Sequence, residues 1–433
     1  MPAALSFDQA PPISVPFRFF LTAPLFGIAA GLALLFGDGN ALASRWEPLA
    51  LGLTHLMVAG FLLQVMAGAL LQFVPVVTGG NVIYPRAVAG LAHPALTLGT
   101  PVLVAAFFTR TPSLFALAAL LLGGALCLLI GVVGLALMRA EAGGDTLPAL
   151  RAAVCGLLPT VLLGIALALV LDRRFDANAI PLLEAHQAWG LGGWALTLLA
   201  GVSWSVVPMF QITPPYPRVV TRYFVPLMLA SLLLLSAGLA WERPDAVVAA
   251  KALLLVAAAA YAGATLHVQA RRKRKTADGT VFYFRAAMAS LIGACAGAAL
   301  LLAVPPLAEF PQIPVVLGIL LLVGGFGSAV CGMLYKIVPF LVWLHLQGKT
   351  AAGVTPPHMH RMIDPASIRG QMLLHLASLG LLLLAPWQPL AARAGGMLFA
   401  VSCTWLLRNL VAAVFVYRRF KDRNPAGAGH PRS

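Results

Sequence analysis

The chain has 433 residues, of which 60% are hydrophobic and 10% charged, against about 25% charged in a typical soluble protein. With a mean hydropathy of +0.91, this excludes a soluble globular enzyme and a disordered chain, and implies an all-α, polytopic membrane protein whose first partner is the lipid bilayer. The net charge of +15, from 29 Lys and Arg against 14 Asp and Glu, accompanies no nucleic-acid motif and fits cationic loops that set topology and meet anionic head groups.

Crossing about 30 Å of hydrocarbon takes about 20 apolar residues. Twelve runs qualify, starting near Phe19, Pro48, Val88, Ser113, Ala152, His186, Phe224, Ala246, Ala286, Ile313, Met372 and Ala394, the eleventh being short. The first run resembles a signal peptide, with Ala41-Leu42-Ala43 like a cleavage site. Residues 1–16 carry no positive charge, however, so it reads as the first helix. The expected organisation is an N-terminal segment 1–16, a twelve-helix membrane domain 17–418 and a basic tail 419–433. With both termini on one side, that side collects 21 of the 29 Lys and Arg, including the run Arg271 to Lys275. The positive-inside rule therefore places both termini in the cytoplasm.

A pattern recurs within the spans. Gly68 precedes Val74-Pro75, Gly201 precedes Val207-Pro208 and Gly332 precedes Val338-Pro339, with the same spacing each time. The prolines are 133 and 131 residues apart, four spans in each case. This predicts three four-helix pseudo-repeats about a pseudo-threefold axis. Each Gly would allow close helix approach, and each Pro would end or kink its helix near the cytoplasmic face.

His55 lies 20 residues before Pro75, and His186 lies 22 before Pro208. At ~1.5 Å per residue both fall about 30 Å from their prolines, near the outer face. Neutral imidazole is the commonest metal ligand, which makes both candidates for haem or metal; the alternative is an interfacial histidine bonded to head groups or a loop carbonyl. Glu184 is a candidate hydrogen-bonding partner for His186. The third repeat has Leu317 and Ile319 at the matching positions, and neither can ligate. His93, His267, His345 and His375 fall toward the cytoplasmic ends and read as structural, and His430 lies in the polar tail. His358-Met359-His360, with Met362, is a weaker copper candidate, since thioether and imidazole suit that metal.

Arg408, ten residues before Arg418, should lie about 15 Å deep. It calls for a partner such as backbone carbonyls, water, an anionic substrate or a haem propionate. Lys336 should snorkel. No Asp or Glu is expected in a core span, which argues against a carboxylate proton relay. The five cysteines lie in apolar segments without a Cys-x-x-Cys, and read as buried apolar residues. There is no Walker A, no Ser-His-Asp elbow and no His-Glu-x-x-His.

The segments His55-Leu-Met57-Val-Ala-Gly60-Phe61, Ala67-Gly68-Ala-Leu70-Leu71 and Val74-Pro75-Val-Val-Thr78-Gly79 resemble the second-helix signature of the NnrS family. The opening Pro16-Phe17-Arg18-Phe19-Phe20-Leu21 is similar to that family's start. His186-Gln-Ala188-Trp-Gly190, with Val207-Pro208 and Pro215-Tyr216, resembles the sixth helix of C-family haem–copper oxidases. The resemblance implies a twelve-helix, oxidase subunit I-like protein of a bacterial-type inner membrane, carrying haem b or copper. It would serve nitric oxide response or respiratory-metal physiology, with a respiratory or assembly partner. His55 carries over as a haem ligand and His186 as a metal ligand; on the haem reading, Arg408 would be a propionate partner. The oxidases' His pair in helix seven and His-x-His in helix ten are missing, so no complete oxygen-reducing centre is expected. Two rivals from other classes are a permease for a small anionic solute and a cofactor-free scaffold.

Overall fold

The computed structural model describes residues 9–273, 278–347 and 357–423, the last three without their side chains. Among the described residues, twelve helices are long and apolar enough to cross a membrane. They are α1 (Ser14–Phe36), α2 (Pro48–Thr78), α3 (Pro85–Thr109), α4 (Pro112–Met138), α5 (Thr146–Leu171), α6 (Ala179–Gln211), α7 (Arg218–Ala240), α8 (Pro244–Ala270), α9 (Gly279–Ala303), α10 (Gln312–Gln347), α11 (Pro365–Leu384) and α12 (Pro389–Arg423). The chain is a multi-pass membrane protein. The short eleventh run begins earlier than its apolar stretch, because the Asp364 side chain caps the N–H groups of Ala366 and Ser367 ahead of Arg369. The helix α12 continues through Arg423, and residues 424–433 of the expected tail lie outside the described part.

Three helices form the interior. Within their apolar windows α2, α6 and α10 are 83, 72 and 61% buried, against 28–50% for the other nine. Each of the three is interrupted by a π-helical segment: Leu56–Leu62, Trp189–Leu196 and Leu320–Gly327. Each segment starts 19 residues before Pro75, Pro208 or Pro339. A π turn shifts hydrogen bonding to the fifth residue on. In α6 and α10 a hydroxyl follows that shift: Thr197 Oγ1 donates to Gly192 O at 2.8 Å, and Ser328 Oγ to Val323 O at 3.4 Å. The prolines do not all end their helices, since α10 runs eight residues past Pro339.

The glycine seven residues before each proline faces the start of the preceding helix. A Cβ on Gly68 would meet Phe19 Cβ at 2.9 Å, one on Gly201 would meet Ala149 Cβ at 2.6 Å, and one on Gly332 would meet Tyr283 Cβ at 2.8 Å. One turn further on, side chains tie two of these pairs of helices. Ser205 Oγ and Thr146 Oγ1 are 2.8 Å apart across α5 and α6. In α9 and α10 the equivalent tie is an ion pair between Lys336 Nζ and Asp278 Oδ2. Lys336 is 8% exposed and does not snorkel; it has a carboxylate partner that also caps α9. Buried polar side chains join α9 to α12. The hydroxyls of Tyr283 and Tyr335 both donate to Gln371 Oε1, Gln371 Nε2 donates to Ser402 Oγ, and Asn409 Nδ2 donates to Tyr335. At the other edge α1 packs on α12, where a Cβ on Gly31 would meet the Ala400 nitrogen at 2.6 Å.

Removing one partner of a buried ion pair leaves an uncompensated charge, at a cost of about 3–5 kcal/mol. Asp278→Ala should therefore destabilise more than Lys336→Met, since the Asp278 side chain is 35% exposed and can hydrate its charge while that of Lys336, at 9%, cannot. Thermal unfolding in detergent measures the order. Burial pushes the Asp278 carboxyl up. The Lys336 ammonium and the hydrogen bonds from Thr280 and Val281 outweigh burial and hold it below the ordinary Asp value. The pair's contribution should be intact above about pH 4–5 and be lost as pH falls below the ordinary Asp value of about 3.9. In Asp278→Asn this acid-dependent loss should be absent.

Candidate functional site: a histidine pair at one end of the bundle

Pro48 at the first helical position starts α2, and the Asn178 side chain, accepting from the Ile180 N–H, starts α6. His55 and His186 each lie seven residues beyond these starts, two turns in. Successive spans run in opposite directions, so the two histidines share the end of the bundle opposite the N-terminus.

Both rings are held by Nδ1. His55 Nδ1 lies 2.8 Å from the Leu51 carbonyl oxygen, and His186 Nδ1 lies 3.0 Å from the Thr160 carbonyl oxygen on α5. A carbonyl only accepts, so in the neutral ring Nδ1 carries the hydrogen and Nε2 keeps its lone pair. Among the described residues neither Nε2 has a hydrogen-bond partner. The ring of His55 stacks on Phe107 of α3, with centroids 5.1 Å apart and planes at 30°, and Phe107 meets Phe115 of α4 edge-on. The ring of His186 lies over Gly164 of α5. The result is two neutral nitrogen donors in an apolar, aromatic surround. Among the described residues no group of three His, Cys, Asp or Glu is placed to hold a metal ion.

The other sequence candidates do not join this pair. Glu184 is not the partner of His186; its carboxylate pairs with Lys251 of α8 at 2.8 Å. Residues two apart on a helix point to opposite sides, so one turn cannot aim both side chains at the same place. Glu184 is the sixth residue of α6 and Lys251 the eighth of α8, so this pair sits near the starts of two spans.

Arg408 is exposed on α12. Its neighbour Asn409 accepts from Ser367, the third residue of α11, at 2.8 Å. Arg408 is thus level with the first turn of α11. The turn His358-Met359-His360 follows α10 and lies at the opposite end from His55 and His186. Its two rings are 5.1 Å apart, the His358 Nδ1 accepts from the His360 N–H at 3.4 Å, and Met362 is buried.

Three of the four histidines read as structural have partners. His93 Nε2 lies 2.9 Å from Thr22 Oγ1, His375 Nε2 lies 2.9 Å from Ser328 Oγ, and His345 contacts the carbonyls of Leu341 and Pro11. Sequence reasoning missed Thr160, Gly164 and Phe107, the groups that hold the two site rings. The available signal was the small-residue row Ala149, Gly156, Thr160 and Gly164 along α5.

The sequence matches no family model, and no curated protein is similar to it.

Because Glu184 serves Lys251 and not His186, the two should separate experimentally. Lys251→Met should lower stability by about 1 kcal/mol or less, as for a partly exposed ion pair. The rate at which diethyl pyrocarbonate modifies His186 should stay unchanged.

Proposed function

We propose that this chain is an integral membrane protein that binds haem b or copper through Nε2 of His55 and His186, related to NnrS and to the oxidase subunit I fold. The carrying observation is the pair of imidazoles, each tied by Nδ1 to a carbonyl, with both Nε2 atoms free at one end of the bundle. Imidazole nitrogen is a donor common to copper and haem iron. The set is too small for a closed four-ligand zinc site. A haem propionate contact from Arg408 does not fit, because Arg408 is exposed and level with the start of α11.

The architecture supports the same kinship. The π segments, the glycines and the ties in α6 and α10 recur at one register around α2, α6 and α10. This is what three pseudo-repeated four-helix units would produce. On this reading the membrane is a bacterial-type inner membrane with both termini cytoplasmic, and a respiratory or assembly partner completes the setting in nitric oxide or metal physiology. His55 and His186 bind and orient. Phe107 of α3 stacks on the His55 ring, and α5 flanks the His186 ring. A bound copper or haem iron would supply a centre for a small diatomic ligand or an electron.

The test is an absorption spectrum, oxidised and reduced, with iron and copper analysis of protein purified from haem- and copper-replete cells. The expected result is a Soret band or stoichiometric copper, lost in His55→Ala and in His186→Ala and retained in His358→Ala. A colourless, metal-free wild type would overturn the reading and leave a permease or a scaffold, which solute flux in vesicles separates.

A further inference from the structure

The contacts between α5 and α6 follow a single antiparallel register. Gly201 faces Ala149, Gly193 faces Gly156, Gly190 faces Thr160, and His186 faces Gly164. A Cβ on Gly156 would fall 2.6 Å from the Gly193 carbonyl oxygen, and one on Gly190 would fall 3.2 Å from Thr160 Cγ2. The helices are therefore in near backbone contact along this row. At its end the imidazole of His186 occupies the space a side chain on residue 164 would fill. A Cβ there would stand 3.0 Å from Cε1, 3.4 Å from Nδ1 and 4.0 Å from Nε2. The same ring's Nδ1 reaches the Thr160 carbonyl, one turn away on the same face of α5.

We infer that Gly164 is a positioning residue for His186: its missing side chain lets the Cε1 edge of the ring approach α5, where the Thr160 carbonyl fixes Nδ1 as the protonated nitrogen and leaves Nε2 as the ligand. Its role at a metal rests on the function proposed above, while the ring geometry does not. The comparison with α9 and α10 shows what is particular here. A Cβ on Gly297 of α9 would meet the side chain of Leu317 of α10, which lies 22 residues before Pro339, as His186 lies 22 before Pro208. The glycine cradle is a shared packing device. The imidazole and its carbonyl acceptor turn it into a means of presenting a donor.

A contact of 3.0 Å to Cε1 is too tight for a methyl group unless the ring moves by a few tenths of an ångström. Such a shift lengthens the bond to Thr160 and releases the tautomer. In metal ligation, changes to the groups that orient a ligating histidine typically weaken binding about 10- to 100-fold.

The experiment uses the full chain in nanodiscs with ¹⁵N-labelled histidine, stripped of metal, with the His186 signals assigned by their loss in His186→Ala. Wild type should show the Nδ1–H tautomer. Gly164→Ala should shift it toward a mixture, and Gly124→Ala, whose Cβ would meet nothing within 4 Å, should leave it unchanged. An Nε2–H tautomer in wild type overturns the inference without any variant having to fold. An unchanged spectrum in a folded Gly164→Ala does so too. Anaerobic titration with copper(I) against a competing chelator then reads the consequence, with binding in Gly164→Ala weaker by roughly tenfold or more. If wild type shows the tautomer yet binds neither copper nor haem, the proposed function fails while the positioning role stands.

Discussion

Hydrocarbon offers no hydrogen-bonding partner, so every polar group that enters it must be satisfied by the protein itself. The twelve helices answer this requirement for the backbone. The π segments of α2, α6 and α10 loosen it, since a π turn leaves carbonyls out of their usual pairing. In α6 and α10 hydroxyls five residues on, Thr197 and Ser328, close those gaps. The same requirement explains why His55 and His186 are not free to rotate. In an apolar surround each ring takes the nearest carbonyl, Leu51 O in one case and Thr160 O in the other, and this choice fixes which nitrogen is left over.

Association of helices in a bilayer depends on contact, because lipid tails are as apolar as the side chains they would displace. Glycine is where this chain obtains that contact. Gly68, Gly201 and Gly332 each admit the start of the preceding helix, and Gly31 and Gly396 close α1 onto α12. Between α5 and α6 the contact is nearly backbone to backbone, which is why His186 can reach a main-chain carbonyl on a neighbouring helix. Packing and site chemistry are one arrangement there.

Charge is placed with equal economy. Lys336 is compensated by Asp278, and Lys251 by Glu184. The paired carboxylates leave the histidine end with neutral donors.

Twelve spans, their order and the three-way recurrence of Gly and Val-Pro were legible in the sequence, because length, apolarity and spacing are properties of the chain taken one residue after another. His55 and His186 could also be singled out, since imidazoles in otherwise apolar runs are conspicuous. Glu184 was paired with the wrong side chain because proximity in sequence says nothing about direction around a helix. The sequence by itself determined a bundle of apolar membrane-spanning helices, with the same Gly and Val-Pro spacing in α2, α6 and α10. Tertiary structure decided that Phe107, Thr160 and Gly164 meet the two histidines, because those contacts join residues tens of positions apart and depend on the register between helices, which no local pattern encodes.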